Sequence, residues 1–326
     1  MDDEEGQPQV EPDYDNLVRH RFVAAKVDAG TRVDRFLVIR FPGYSRTLLQ
    51  KLVKDGFVLV NGRPSRSGWP VAEGDRVDLR LPTLSRPYAR PENIPLDVLH
   101  EDEAIAVINK PAGLTVHPGA GQRDQTLANA LAYRFGELSN VQGQLRPGIV
   151  HRLDKETSGV VLVAKGDQAH HFLARQFRER TLRKEYLAVA HGVVELDSDL
   201  ISLPIGPDRH RPLRMAVRHD VGRPSDTFYE VKERFHRYTF VSVLPKSGRT
   251  HQIRLHFSAL GHPLVADTIY GGRNDGLPFF VRRQMLHAFR ITFTHPLSLS
   301  KVTFTAPLPS DMERLLTWLR EEQAKI

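Results

Sequence analysis

The sequence predicts an α+β protein, a small N-terminal module joined by a proline-rich stretch to one larger domain of mixed strands and few helices. Three observations carry that prediction. Short apolar runs outnumber helical stripes and do not alternate with them in the regular βαβ order of a doubly wound sheet. Helix and strand signals cluster compactly between Arg21 and Leu81. Prolines at 82, 87, 91 and 95 then suppress helix and central strand, which marks 82–95 as a semi-rigid linker. The length of 326 residues leaves room for a sizeable core in the larger domain, 96–326.

Taken in order, the first residues, MDDEEGQPQV, have no basic start and no apolar segment, so they do not read as a secretory signal. Seven of the first fifteen residues are Asp or Glu, and 1–18 is expected to be a disordered acidic tail. The module itself spans 19–81. Val33, Phe36, Leu37 and Arg40 make a short helical stripe. Ser45 is placed as the N-cap of a second helix reaching Lys54, with Leu48, Leu49, Leu52 and Val53 as its apolar face. Gly56 stops it, Phe57 to Val60 read as a strand with Asn61-Gly62 as its turn, and Val77, Leu79 and Leu81 alternate as a final strand. Arg46, Gln50, Lys51 and Lys54 lie opposite the apolar face. That row suits a phosphate backbone, and it equally suits an ordinary solvated surface.

In the larger domain, strands are expected at 104–109, 160–164, 185–190, 227–235, 238–244, 289–294 and 301–305. Helices are expected at Asp124 to Phe135, Asp167 to Phe177, Thr250 to Leu260 and Ser310 to Leu319, the last opening on the capping-box pattern Ser310-Asp311-Met312-Glu313. No internal repeat is visible.

Composition narrows the function. With no cysteine, disulfides and cysteine-based zinc sites are excluded, which suits a reducing compartment. The longest aliphatic run, Val160 to Ala164, is far too short to span a bilayer, and a cytoplasmic protein is expected. The net charge of +7 is unevenly spread, because outside the first fifteen residues 46 basic side chains face 32 acidic ones. A body that basic points to a polyanionic partner, most simply nucleic acid.

The densest cluster of reactive side chains lies in RPGIVHRLDKETSGVVLVAK, Arg146 to Lys165. Between two β-like runs, Asp154 sits with Arg152 and Lys155 on either side and His151, Glu156, Thr157 and Ser158 close by. Positive neighbours favour a carboxylate there, fit for a nucleophile or base rather than a proton donor. For a charged loop taken alone, a surface salt bridge is the ordinary reading. Two further segments stand out. RKEYLAVAHG puts Tyr186 on a strand face with Ala188 and Ala190, leaving room for something flat beside the aromatic ring. LPKSGRTHQIRLHFSALGHPLVAD puts Arg249 at a turn-to-helix junction with Thr250 as N-cap, and Arg254 one turn further on, in reach of an anion or of Asp154.

The stretch TRVDRFLVIRFPGYSRTLLQKLVKDGFVLVNGRP resembles the alpha-L RNA-binding motif, which moves the basic helix onto RNA. HRLDKETSG, KEYLAV, GRTHQIRLH, INKPAGLTVHPG and HPLVADTIYGG together resemble the RluA-type RNA pseudouridine synthases over residues 20–310. With VHPGAGQRDQTLANAL the chain looks most like the RluD-like branch, which acts on large-subunit ribosomal RNA. The resemblance implies a catalytic domain with a mixed, largely antiparallel sheet flanked by helices and loops, and an enzyme that turns uridine into pseudouridine without metal or cofactor. It implies Asp154 as the essential carboxylate, Arg254 as the arginine that positions it, and Tyr186 beside the uracil as a candidate base for the carbon-five proton. It also implies Arg152 filling the vacated place of a flipped nucleotide or stacking on RNA, with His151, Arg249, Lys110 and His117 along the RNA channel. The implied partner is structured RNA, with no membrane and no obligate protein partner.

Rival readings have specific requirements. A metal hydrolase needs ligand spacing, and neither His170-His171 nor His251/His256 has it, nor does any HExxH occur. A glycosidase needs a second carboxylate. Glu156 points elsewhere on extended backbone, which leaves Asp226 and Asp267. The same isomerisation on transfer RNA, and a non-catalytic RNA-binding ribosome assembly factor, are the remaining alternatives.

Overall fold

The structure, a computed structural model, describes residues 13–41, 44, 46–83, 89–119, 122–136, 138–143, 146–211, 214–274 and 276–325. Ser45, the expected helix cap, lies outside them, as do residues 1–12 of the acidic tail and 84–88 of the linker. The chain divides into two compact units, Met1–Pro87 and Tyr88–Ile326.

The first unit runs β1 (Asp13–Val23), α1 (Val33–Arg40), α2 (Arg46–Lys54), β2 (Val58–Val60), β3 (Arg63–Pro64) and β4 (Arg76–Thr83), with its four strands in the order β1-β4-β2-β3. Strand β1 corrects the expected tail, because residues 13–18 are already extended and Val18 pairs with Leu81 of β4. Backbone pairing with β4 orders a stretch whose composition alone gave no reason for order. The two helices close the core on one side, where Phe36, Leu37, Leu49 and Leu52 are wholly buried against Leu79. Asn61 and Gly62 both take positive φ, 51° and 77°, the two-residue turn that suits a hairpin between β2 and β3.

The linker is shorter than expected. Strand β4 runs through Thr83, and on the far side Ala89 is buried. Arg90 and Glu92 are held by Asn129, which donates its side-chain amide to the Arg90 carbonyl at 2.8 Å and accepts from the Glu92 N–H at 3.1 Å through its own carbonyl.

The second unit contains β5 (Asp97–Glu101), β6 (Ile105–Lys110), α3 (Leu127–Phe135), β7 (Ser158–Ala164), α4 (Asp167–Glu179), β8 (Arg183–His191), β9 (Ser198–Ser202), β10 (Ile205–Pro207), β11 (Met215–Val217), β12 (Asp226–Arg234), β13 (Tyr238–Pro245), α5 (Gln252–Ala259), β14 (Leu286–Thr294), β15 (Lys301–Thr305) and α6 (Ser310–Gln323). Nine strands form one sheet in the order β5-β6-β7-β14-β8-β13-β12-β9, with β15 added to β14, while β10 and β11 form a separate hairpin. Its pairs are antiparallel except β7 with β14. Each of the seven expected strands is present, to within a few residues at its ends. Strand β5, the edge strand β9 and the β10–β11 hairpin escaped sequence reading, because runs of three to five residues are too short to show a clear apolar pattern.

Helix starts or their caps differ from expectation in three places. Helix α3 begins at Leu127 rather than Asp124, because Gln125 takes a positive φ of 56° and Asn129 accepts both the N–H and hydroxyl of Thr126. Helix α5 is capped by His251, with φ 57°, and not by Thr250. Helix α6 starts from Pro309 with no side-chain cap, so the Ser310 pattern does not act as one.

The sheet positions the site through its central strands. Tyr186 of β8 pairs with Ala288 of β14 on one side and Val243 of β13 on the other. The Asp154 loop enters β7 beside β14 at Gly159, whose φ is 113° and where a Cβ would lie 2.1 Å from the Ala288 carbonyl oxygen. Only glycine lets these two strands approach so closely at the mouth of that loop.

Candidate active site

Four residues after Val150 the chain turns, and the Thr157 N–H closes the turn on the Asp154 carbonyl at 3.0 Å. Leu153 is buried in the core and anchors the loop from below. Its backbone is then held by buried donors. Lys110 Nζ donates to the carbonyls of Pro111, Leu114 and Lys155 at 2.7, 2.9 and 3.0 Å. Gly113 N–H reaches the same Lys155 carbonyl at 3.0 Å. Arg283, itself paired with Asp311 at 2.7 and 2.9 Å, donates to the Glu156 carbonyl at 3.1 Å. Gln284 reaches Thr157 Oγ1 at 3.3 Å. The carboxylate of Asp154 thus projects from a fixed backbone, about one fifth exposed.

Arg254 meets it from α5. Its Nη1 donates to Asp154 Oδ2 at 3.1 Å, while Nε and Nη2 make a bidentate pair with Asp267 at 2.6 and 2.8 Å. Asp267 is wholly buried and is held in turn by the N–H groups of Ile269 and Tyr270, both at 3.2 Å. Burial opposes the Arg254 charge, but Asp267 and Asp154 outweigh it and raise the guanidinium's pKa above its ordinary value. The helix start is fixed by Gln252, whose carbonyl accepts from Arg249 N–H and Ser247 Oγ and whose amide donates to Asp226 O and Thr227 Oγ1. This one side chain explains why glutamine follows His251 in the motif, since it ties the turn to β12.

Tyr186 packs half-buried between two core clusters. Burial, and then the charge of Asp154, raise its phenol pKa above the ordinary value, so the hydroxyl keeps its proton.

The other expected site residues fall into distinct places. Arg152 is exposed and makes no ion pair among the described residues. His117 lies near Arg146 and Arg152, and burial followed by those charges lowers its pKa to about 4, which keeps it neutral. Arg249 is half-buried, with its Nε in no hydrogen bond. Two assignments are corrected. Lys110 does not line a channel, because it is wholly buried and its three N–H groups are spent on carbonyls. His151 turns inward, stacked on Phe177 at 4.7 Å with Nε2 accepting the Leu162 N–H at 2.9 Å, and burial lowers its pKa to about 3. Arg46, Lys51 and Lys54 belong to the first unit, on the solvent side of α2, where Arg46 also reaches the buried Asp34 at 3.0 Å. Among the described residues, no group of three or more His, Cys, Asp or Glu is placed to hold a metal ion.

Residues 104–259 match the family model for RNA pseudouridylate synthases, and residues 31–77 match the model for the S4 domain, the alpha-L motif. The chain is 42% identical over 303 residues to the ribosomal large subunit pseudouridine synthase D of Neisseria meningitidis serogroup B, covering 90% of this chain and 80% of that one. It is 42% identical over 306 residues to the protein of the same name from Xylella fastidiosa, covering 91% of each. The chain belongs to the RNA pseudouridine synthase family. Among solved structures, human RNA pseudouridylate synthase domain containing 1 matches 70% of this synthase and 96% of its own chain, at 30% identity and a TM-score of 0.54.

The synthase site also contains residues that sequence reading passed over. Asp267 was weighed only as a glycosidase carboxylate, and it is instead the buried anchor of Arg254. Tyr270, in the TIYGG stretch, carries the Arg254 guanidinium 5.3 Å from its ring centre and accepts the Met215 N–H at 3.1 Å. His251, weighed only as a metal ligand, lies with Nε2 3.9 Å from Asp154. The signal available was their position inside the recognised motifs, which marks a segment without saying which side chain faces the carboxylate.

Proposed function

We propose that this synthase isomerises uridines of large-subunit ribosomal RNA in the cytoplasm, as part of ribosome biogenesis, with Asp154 acting on the ribose of the target nucleotide. The observation that carries the chemistry is the Asp154–Arg254–Asp267 chain. Hydrolysis of a glycosidic bond uses two carboxylates about 5–9.5 Å apart. Here the second carboxylate of the site, Asp267, is wholly buried and committed to Arg254, which leaves one working carboxylate. One suffices for an isomerisation. The bond between N1 and the anomeric carbon breaks, the uracil turns, carbon five joins the anomeric carbon, and the carbon-five proton leaves while N1 gains one. A carboxylate facing the sugar serves this sequence whether the bond is cut by displacement or by elimination.

The remaining roles follow from placement. Arg254 holds Asp154 aimed at the sugar. Tyr186 packs against the uracil, and because burial above all keeps its hydroxyl protonated, it serves removal of the carbon-five proton through a water relay. Arg152, exposed two residues before Asp154, supports the flipped-out nucleotide. The S4 module adds phosphate contacts through Arg46, Lys51 and Lys54, which makes binding salt-dependent. Support for a ribosomal substrate comes from the alpha-L module together with full-length relatives named for the large ribosomal subunit.

The test uses unmodified large-subunit ribosomal RNA and, separately, transfer RNA, each tritiated at carbon five of uracil. Release of tritium to water from ribosomal RNA alone is expected. Release from transfer RNA alone would contradict the choice of substrate and leave the chemistry standing.

A further inference from the structure

His251 has a geometry that the Asp154–Arg254–Asp267 chain does not require. It occupies a left-handed backbone conformation, φ 57°, at the first position before α5, and its side chain is 15% exposed. A non-glycine residue held there marks a side chain whose direction matters. Its Nδ1 lies 2.9 Å from the Tyr270 hydroxyl. That hydroxyl already accepts the Met215 N–H at 3.1 Å, and Tyr270 as a whole is only 3% exposed, so the hydroxyl proton has His251 Nδ1 as its acceptor. Burial raises the Tyr270 pKa and keeps that proton in place. Burial also lowers the pKa of His251, against the pull of Asp154, with Arg254, Asp267 and Arg152 as the other charges around it. The ring is neutral, and its single proton is assigned to Nε2 by the Tyr270 hydrogen bond.

Nε2–H therefore faces Oδ2 of Asp154 across 3.9 Å, too far for a hydrogen bond. One oxygen placed about 2.8 Å from each atom would satisfy both. It must accept from Nε2–H and donate to the carboxylate, which is what a hydroxyl does and a carbonyl or phosphate oxygen does not. With Asp154 directed at the anomeric carbon, the hydroxyl on the neighbouring carbon is the ribose 2′-OH. We propose that His251 reads the 2′-hydroxyl of the target nucleotide, completing a bridge from Nε2–H through that oxygen to Asp154. The proposal rests on the assignment of Asp154 to the sugar. It makes His251 a specificity-determining residue, tuned to RNA over DNA at a single nucleotide. Through Met215 the same bridge is tied to the β10–β11 hairpin, whose Arg214 guanidinium lies 5.0 Å from the Tyr270 ring centre.

The experiment compares two synthetic stem-loops around a uridine that the wild type is known to convert, whichever RNA supplied it. One has ribose and the other 2′-deoxyribose at that nucleotide. Single-turnover tritium release gives the preference for ribose in wild type, His251→Leu, His251→Gln and Tyr270→Phe. Wild type is expected to favour ribose at least about tenfold, and His251→Leu to lose about tenfold of that preference. Gln, whose Nε2–H has similar reach, should restore part of it. Tyr270→Phe, which keeps the imidazole and frees its tautomer, should lower the preference without abolishing conversion, and it carries the test should His251→Leu not fold. An equal preference in wild type and all three variants overturns the assignment. Failure of the ribosomal reading shows separately, in which RNA yields the convertible uridine.

Discussion

Arg254→Ala is expected to cost both activity and stability. Arg254 is 4% exposed and bridges Asp154 and the wholly buried Asp267. Removing it leaves a buried carboxylate with two backbone N–H groups and no counter-charge, a change that typically costs about 3–5 kcal/mol. It also frees the Asp154 side chain, and we expect turnover to fall by about a thousandfold or more, because misplacing a reacting group by about 1 Å already costs about a hundredfold. Arg254→Lys separates the two effects. One ammonium matches neither the bidentate geometry at Asp267 nor the second reach to Asp154, so it should recover more stability than activity. Urea unfolding and tritium release on the same preparations read the two quantities. An Arg254→Ala enzyme within tenfold of wild-type activity would show that Asp154 needs no positioning.

The second large effect is structural. Gly159→Ala would place a Cβ 2.1 Å from the Ala288 carbonyl oxygen and 2.8 Å from the Ala288 nitrogen, both backbone atoms of the neighbouring strand. Nothing there is a flexible side-chain end, so β7 and β14 must separate at the mouth of the Asp154 loop. The expected loss is more than about 4 kcal/mol, in the range reserved for strained backbone and overpacked cores. Gly166→Ala is the control, with an extended backbone of φ −135° and nothing within 4 Å of the added atom, and should cost about 1 kcal/mol or less. Equal stability losses at the two positions would contradict the close approach of the strands.

Residues that project from a recognisable turn or strand were located correctly, as with Arg254 meeting Asp154 and Tyr186 on the central strand β8. Continuous apolar runs revealed the central strands, because both faces of each are packed. Charged residues serving the interior were misplaced. Lys110 follows the buried run Ile105 to Ile108 and reads as the polar end of a strand, yet it is wholly buried and caps three carbonyls. His151 likewise turned inward to Leu162 and Phe177. No local pattern distinguishes a cation that faces RNA from one that holds a loop, because the acceptors that make the difference come from distant segments. Asp267 shows the converse, since its partner Arg254 is thirteen residues earlier and the turn between them sets the pairing.

The most direct test of the account is single-turnover conversion of tritiated ribosomal RNA by wild type and Asp154→Asn, with RNA affinity measured alongside. Asparagine has the same shape but no charge, so the loop, with its backbone held by Lys110 and Arg283, should keep its conformation. The account requires tritium release by wild type, none detectable from Asp154→Asn, and RNA binding within a few-fold of each other. Release by Asp154→Asn at the wild-type rate would contradict it and place the working carboxylate elsewhere.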